Sequence, residues 1–116
     1  MKTLTIGVSD RTDVKKRMAA AFKGKAQGGP RLSFASAELL VRVLTEPRMQ
    51  LLRTMAGAGP MSLRELARRV DRDVKRVHGD AHALLNAGVL YKTDDGELEF
   101  PFSGVHVEFE IVASAA

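Results

Sequence analysis

Residues 62–92 read SLRELARRVDRDVKRVHGDAHALLNAGVLYK, and this stretch carries the strongest local signals in the chain. Ser62 at an N-cap and Glu65 three positions later make a capping box, in which a hydroxyl and a carboxylate satisfy otherwise orphaned backbone donors. Met61 and Leu66 stand where a hydrophobic staple would place them. Leu63, Leu66, Ala67 and Val70 follow the i, i+3, i+4, i+7 spacing of one helix face, so a helix of about two turns is predicted. A tight turn around Asp71-Arg72-Asp73 leads to a second helix, with Val74, Val77, Ala81, Leu84 and Leu85 on its buried side. Asn86-Ala87-Gly88 ends that helix, Gly88 suiting a left-handed C′ position. Val89 to Lys92 then reads as a strand, Thr93-Asp94-Asp95-Gly96 as a hairpin turn, and Glu97 to Phe100 as the returning strand.

Upstream of this stretch, Ser36 caps a short helix presenting Leu39, Leu40, Val43 and Leu44, after a possible short strand at Leu32-Ser33-Phe34. Pro47 sits in the first turn of another helix, where its missing N–H costs nothing. That helix carries Leu51, Leu52 and Met55 and stops at Gly57-Ala58-Gly59-Pro60. At the N-terminus, Leu4, Ile6 and Val8 alternate with Thr3, Thr5 and Gly7, the pattern of a half-buried strand. Asp10 or Thr12 would cap a following helix with Val14, Met18, Ala21 and Phe22 on one face, and Gly24 would end it. Lys25 to Arg31, with Gly28-Gly29-Pro30, reads as a linker. At the other end Val105, Val107, Phe109 and Ile111 alternate with His106, Glu108 and Glu110, which predicts a strand with one dry and one acidic face.

The length of 116 residues suits one domain, and 45% hydrophobic against 28% charged residues suits a packed core. The absence of Cys excludes disulfides, thiolate metal sites and Cys nucleophiles. No apolar run approaches the roughly 20 residues that span a bilayer, and the N-terminus lacks a signal peptide's apolar stretch. A cytoplasmic location without membrane contact is expected. Charge is unevenly spread. Residues 1–60 hold 11 Lys/Arg and 4 Asp/Glu, a balance of +7; residues 61–92 hold 7 and 4, a balance of +3; residues 93–116 hold none and 6, a balance of −6. The basic part implies an anionic partner, and the acidic end implies a protein partner, the chain's own N-terminal part included.

Helical projection of the second helix sets Arg72, Arg76, Gly79 and Ala83 opposite its buried residues, flanked by Lys75 and His82. Arg68 of the preceding helix points away from the core, with Arg64 and Arg69 beside it, and Lys92 lies at the base of the hairpin. Cationic forks suit guanine edges and phosphates, and small residues suit close approach to a groove. With the helix, helix, hairpin order, residues 32–100 resemble MarR/ArsR-type winged-helix regulators. More narrowly, "S-x-R-E-L-A-R", "R-D-V-K-x-V-H-x-D" and "L-x-x-x-G-L/V" resemble a family of small prokaryotic transcriptional regulators, some of them antitoxins of toxin–antitoxin pairs. The likeness spans about 100 of the 116 residues and is most specific in the middle. Gly79 departs from it, standing where such proteins often carry a bulkier polar or basic residue.

The resemblance implies an α+β fold: a winged helix-turn-helix at 32–100, an N-terminal strand–helix arm with linker at 1–31, and a C-terminal strand and tail at 101–116. The expected function is a sequence-specific transcriptional repressor that binds a palindromic operator in double-stranded DNA as a homodimer. Arg64, Arg68, Arg69, Arg72, Lys75, Arg76, His82 and Lys92 are the expected DNA contacts. The acidic hairpin tip, with Asp94, Asp95, Glu97 and Glu99, is not expected to enter a minor groove. Leu4, Ile6, Val8, Val105, Val107, Phe109 and Ile111 are the expected dimerisation residues, since strands with one apolar face need a partner. The rival reading is an antitoxin whose acidic strand covers a basic toxin, with DNA binding secondary.

No enzyme is expected, because no Ser/His/Asp trio or carboxylate pair stands out on a pocket-forming scaffold. No metal or cofactor site is expected either: His78 and His82 at i, i+4 lack further ligands, and His78 is expected half-buried. Gly24-Lys25 lacks the spacing of a phosphate-binding loop.

Overall fold

A computed structural model describes residues 2–9, 29–111 and 113. In chain order these form β1 (Thr3–Val8), β2 (Arg31–Phe34), α1 (Ala37–Val43), α2 (Glu46–Met55), α3 (Leu63–Val70), α4 (Val74–Asn86), β3 (Tyr91–Lys92), β4 (Leu98–Glu99) and β5 (Gly104–Glu108). The helix expected between Asp10 and Lys23, and the linker as far as Gly28, lie outside the described residues.

The local signals act as the sequence predicts. The Ser36 hydroxyl accepts from the Leu39 N–H at 3.2 Å, and the Ser62 hydroxyl accepts from the Glu65 N–H at 3.1 Å. The second half of the capping box is redirected: the Glu65 carboxylate receives Arg68 and Arg69. Pro47 stands in the first turn of α2. Asp71 closes α3 in the left-handed region (φ 53°), a conformation that Asp tolerates better than most residues. Asp73 then caps α4 by accepting from the Lys75 and Arg76 N–H groups. Gly88 (φ 83°) follows α4 as the left-handed residue that lets the chain turn towards β3.

β3 and β4 form an antiparallel hairpin, shorter than the predicted strands, closed by a turn whose Gly96 has φ 84°. Leu98 of β4 also exchanges both backbone hydrogen bonds with Met61, at 2.8 and 2.9 Å. This bridge fastens the hairpin beside the start of α3.

The remaining strands form a second sheet, in the order β2-β1-β5, all parallel. Leu4 lies opposite Val105, and Ile6 lies between Val107 and Leu32, so one face is apolar throughout. The expected partnership of the first and last strands therefore forms within one chain. Leu4 and Ile6 are buried with Leu40, Leu51, Met55, Leu66, Val77, Leu84 and Phe100 in a single cluster. Each fully buried Leu, Ile or Phe contributes about 1.5–3 kcal/mol of transfer free energy. The N-terminal strand is thus part of the central core and not an appendage, and Arg31, expected in the linker, opens β2.

Five residues expected on buried faces are exposed. Val74 is 42% exposed because it opens α4, ahead of the turns that pack on α3. Leu39 is 40% exposed, leaving Leu40 as the buried residue of α1. β5 ends at Glu108, and Val107, Phe109 and Ile111 of its dry face are exposed.

On the polar face of the parallel sheet, the Arg31 guanidinium reaches across β1 to the Glu108 carboxylate at 2.9 Å. It passes over Gly7, where an added Cβ would lie 2.5 Å from the Arg31 Nη2 and 3.1 Å from the Glu108 carbonyl oxygen. We expect G7V to lower stability in urea unfolding by about 1–2 kcal/mol, from local overpacking and loss of a partly exposed ion pair. Adding R31A should cost less in G7V than in the wild type, because that bridge is already displaced. Additive losses would show that the two positions act independently.

Candidate nucleic-acid interface

The α3–turn–α4 unit is oriented by one carboxylate. Asp80, on the flank of α4, accepts from the Arg48 Nε at 3.1 Å and from the Arg72 Nη2 at 2.8 Å. The three side chains are about one-fifth exposed. The Arg48 Nη1 also donates to the Val43 carbonyl at 3.1 Å, near the C-terminus of α1. Asp80 thereby connects α2 and the α3–α4 turn to α4, and through Arg48 reaches α1. Burial pushes the Asp80 carboxyl up, but hydrogen bonds from Arg72 and Arg48 outweigh it and hold it below the usual carboxylate range.

Arg72 is consequently turned inward, and its Nη1 is buried without a hydrogen-bond partner. Helical projection set Arg72 on the outer face, but it precedes the Asp73 cap and does not follow helical geometry. Sequence reasoning missed Arg48 altogether. The only hint was a cation at the start of α2, with no pattern linking it to a carboxylate 32 residues later.

Arg64, Arg68 and Arg69 are exposed on α3, and Lys75, Arg76 and His82 are exposed on α4. Arg68 and Arg69 share the Glu65 carboxylate, with N···O distances of 2.9 Å from the Arg68 Nε and 2.7 Å from the Arg69 Nε. Their hydrogen bonds hold the Glu65 carboxyl at about 2. Arg64, Lys75, Arg76 and Lys92 make no ion pair among the described residues. Arg64, Arg68 and Arg72 also line a shallow open depression with Ala67, Asp71, Asp73 and Val74. Of the expected contacts, Arg64 and Arg68 thus share one depression with the partly withdrawn Arg72; Arg69, Lys75, Arg76 and His82 are exposed on the same two helices, and Lys92 is exposed separately on the hairpin.

Gly79 lies on the exposed side of α4, and a Cβ built there meets nothing within 4 Å. Among the described residues, nothing in the packing requires glycine at this position. His78 is exposed, not half-buried as expected, and its ring stacks on that of His82 with centroids 5.6 Å apart. Among the described residues no group of three or more His, Cys, Asp or Glu side chains could hold a metal ion. No described helix is long and apolar enough to cross a membrane.

We expect D80N to lower stability at neutral pH by about 1–3 kcal/mol, between the values for exposed and fully buried pairs. The sign with pH follows from the lowered carboxyl. Its contribution is fully present above the unfolded value of about 4 and is lost as pH falls through the lower folded value. Denaturant titrations should show the gap between wild type and D80N closing only below about pH 4. An unchanged gap down to pH 2 would separate Asp80 from the acid response.

The model of the HVO_A0114 family matches residues 43–107, which takes in α2, α3, α4, the hairpin and most of β5. No curated protein and no solved structure matches the chain. With more than half of its length matched, the chain belongs to the HVO_A0114 family.

Proposed function

We propose that this chain is a sequence-specific transcriptional repressor that binds double-stranded DNA as a homodimer, with α3 and α4 as the helix-turn-helix and β3–β4 as the wing. The observation that carries this reading is the outer face of α4, where Lys75, Arg76, Gly79 and His82 are exposed together. A glycine inside a helix costs about 1 kcal/mol relative to alanine. With open space above Gly79, close approach by a partner's surface supplies a reason for that cost. Lys75 and Arg76 in the first turns, which make no ion pair among the described residues, would meet bases or phosphates in a major groove. Arg64, Arg68 and Arg69 would meet phosphates where α3 crosses the backbone. The bridge between Met61 and Leu98 also supports a wing held close to the reading unit.

A second reading, an antitoxin that neutralises a basic toxin protein, is favoured by the exposed Asp94 and Asp95 at the hairpin tip. Co-purification of a basic partner together with failure to bind DNA would prefer it.

The deciding experiment titrates the protein against its own upstream DNA and against a scrambled duplex at two salt concentrations. R76A should cost about 1–3 kcal/mol on the operator and less on the scrambled duplex, as a base contact would. Equal losses would make Arg76 a phosphate contact. R68A should weaken both and shallow the salt dependence by about one unit of slope. An unchanged slope would remove Arg68 from the interface.

Gly79 separates folding from binding. G79A should raise stability by about 0.5–1 kcal/mol, since the helix gains an alanine in open space. The same substitution should weaken operator binding if the groove approaches that backbone. Raised stability with unchanged affinity would remove the α4 backbone from the contact.

A further inference from the structure

We propose that β5 pairs antiparallel with β5 of a second copy, about a two-fold axis through Val107, joining the two parallel sheets into one six-stranded sheet. The pairing supplies an interface for the homodimer proposed above, and it does not depend on whether that dimer binds DNA.

β5 is an edge strand: among the described residues it is hydrogen-bonded to β1 on one side only. Its apolar residues are left unfinished. Val107 is 40%, Phe109 38% and Ile111 89% exposed, on the strand and its immediate continuation. β2, the opposite edge, presents no such surplus, because Leu32 and Phe34 pack against the core. An edge with accessible backbone groups and an apolar face is a template for another strand.

The occupant follows from the order Val105-His106-Val107-Glu108-Phe109. Directly opposed residues of an antiparallel pair share a face of the sheet. Pairing Val107 with its own copy sets Val105 opposite Phe109 on the apolar face and His106 opposite Glu108 on the polar face. Each contact occurs twice by symmetry, as a closed two-fold interface requires. Shifting the centre to Glu108 places two carboxylates against each other. Centring on Phe109 places Glu108 against Glu110. Centring on His106 leaves Phe109 opposite Ser103. Any register between residues sets the apolar side of one strand beside the polar side of the other. The Val107 register opposes no like charges and gives Phe109 an apolar partner, leaving Ile111, beyond the strand, opposite Ser103.

Within one chain, the His106 Nε2 already lies 3.3 Å from a Glu108 carboxylate oxygen, and Arg31 holds the other oxygen. The polar side of the strand is thus set with its acid and its imidazole side by side. A second copy laid antiparallel would alternate them across the seam.

The natural chain has no Cys, so single cysteines report the register without ambiguity. Opposed Cα atoms in an antiparallel pair lie about 4.5–5.5 Å apart, within reach of a disulfide. Wild type should sediment as a dimer at micromolar concentration. Under mild oxidation V107C should form a linked dimer several-fold faster than V105C or F109C. H106E should weaken the dimer several-fold, whereas H106K should retain it. A monomeric wild type, equal linking at all three positions, or an unaffected H106E would overturn the proposal. A dimer that links at V107C but ignores the duplex would keep this interface and end the DNA reading. Duplex binding by a protein that does not link at V107C would do the reverse.

Discussion

A carboxylate shared by two arginines sets the geometry on which the outer surface of α4 depends. Asp80 draws Arg48 from α2 and Arg72 from the turn before α4 into one partly buried node. Such a node adds little net stability compared with apolar packing, because desolvation offsets much of the attraction. Its geometry is nevertheless demanding. Two guanidinium groups approach one carboxylate from different elements, so α4 cannot rotate about its axis without losing one of them. The shared carboxylate therefore reinforces the orientation that α4 takes by packing Val77, Ala81 and Leu84 in the core. It also divides the cations: Arg72 is held inward, while Lys75 and Arg76, a few residues later, remain exposed.

A second constraint ties the two ends of the described chain together. β1 lies between β2 and β5, and its apolar residues enter the same core as those of the helices. The Arg31–Glu108 pair crosses above β1, and it does so because position 7 has no side chain. Its contribution is small, since Glu108 is about half exposed. Its placement still favours one register of three parallel strands, a useful property where apolar alternation alone is short. Parallel strands bring together residues far apart in sequence, here position 31 with position 108, and such contacts carry a loop-closure cost that local pairs do not.

The sequence was most legible where chemistry is local. Ser36, Ser62, Pro47, Gly88 and the Asp71–Asp73 turn each act within a few residues, and each is found in its predicted role. Alternation also located β1 and β5, because period two is a property of consecutive residues. It could not show that they would be parallel neighbours within one chain. The candidate site was readable to the same extent. Arg64, Arg68, Arg69, Lys75, Arg76 and His82 follow from helical projection, and all are exposed. Arg72 escaped it because projection was carried past the Asp73 cap. Arg48 escaped it because no local pattern announces a partner on another helix.

Electrostatics on α3 and α4 has a further consequence, in that the formal charge overstates what a polyanion would meet. Arg68 and Arg69 lean on one carboxylate, and Arg72 is partly compensated by another that it shares with Arg48. Cations paired in this way attract phosphates less strongly at a distance, because each arrives with part of a compensating charge. At contact the guanidinium of Arg68 remains exposed and has donors beyond those given to Glu65. In the proposed complex, long-range attraction would then rest chiefly on Arg64, Lys75 and Arg76, whereas the paired arginines would act at short range, where a phosphate would compete with Glu65 for their donors. A surface organised in this way would limit indiscriminate capture of polyanions and favour a ligand whose groups align with the outer face of α4. That distinction between attraction and fit is what sequence-specific binding requires of a modestly basic domain.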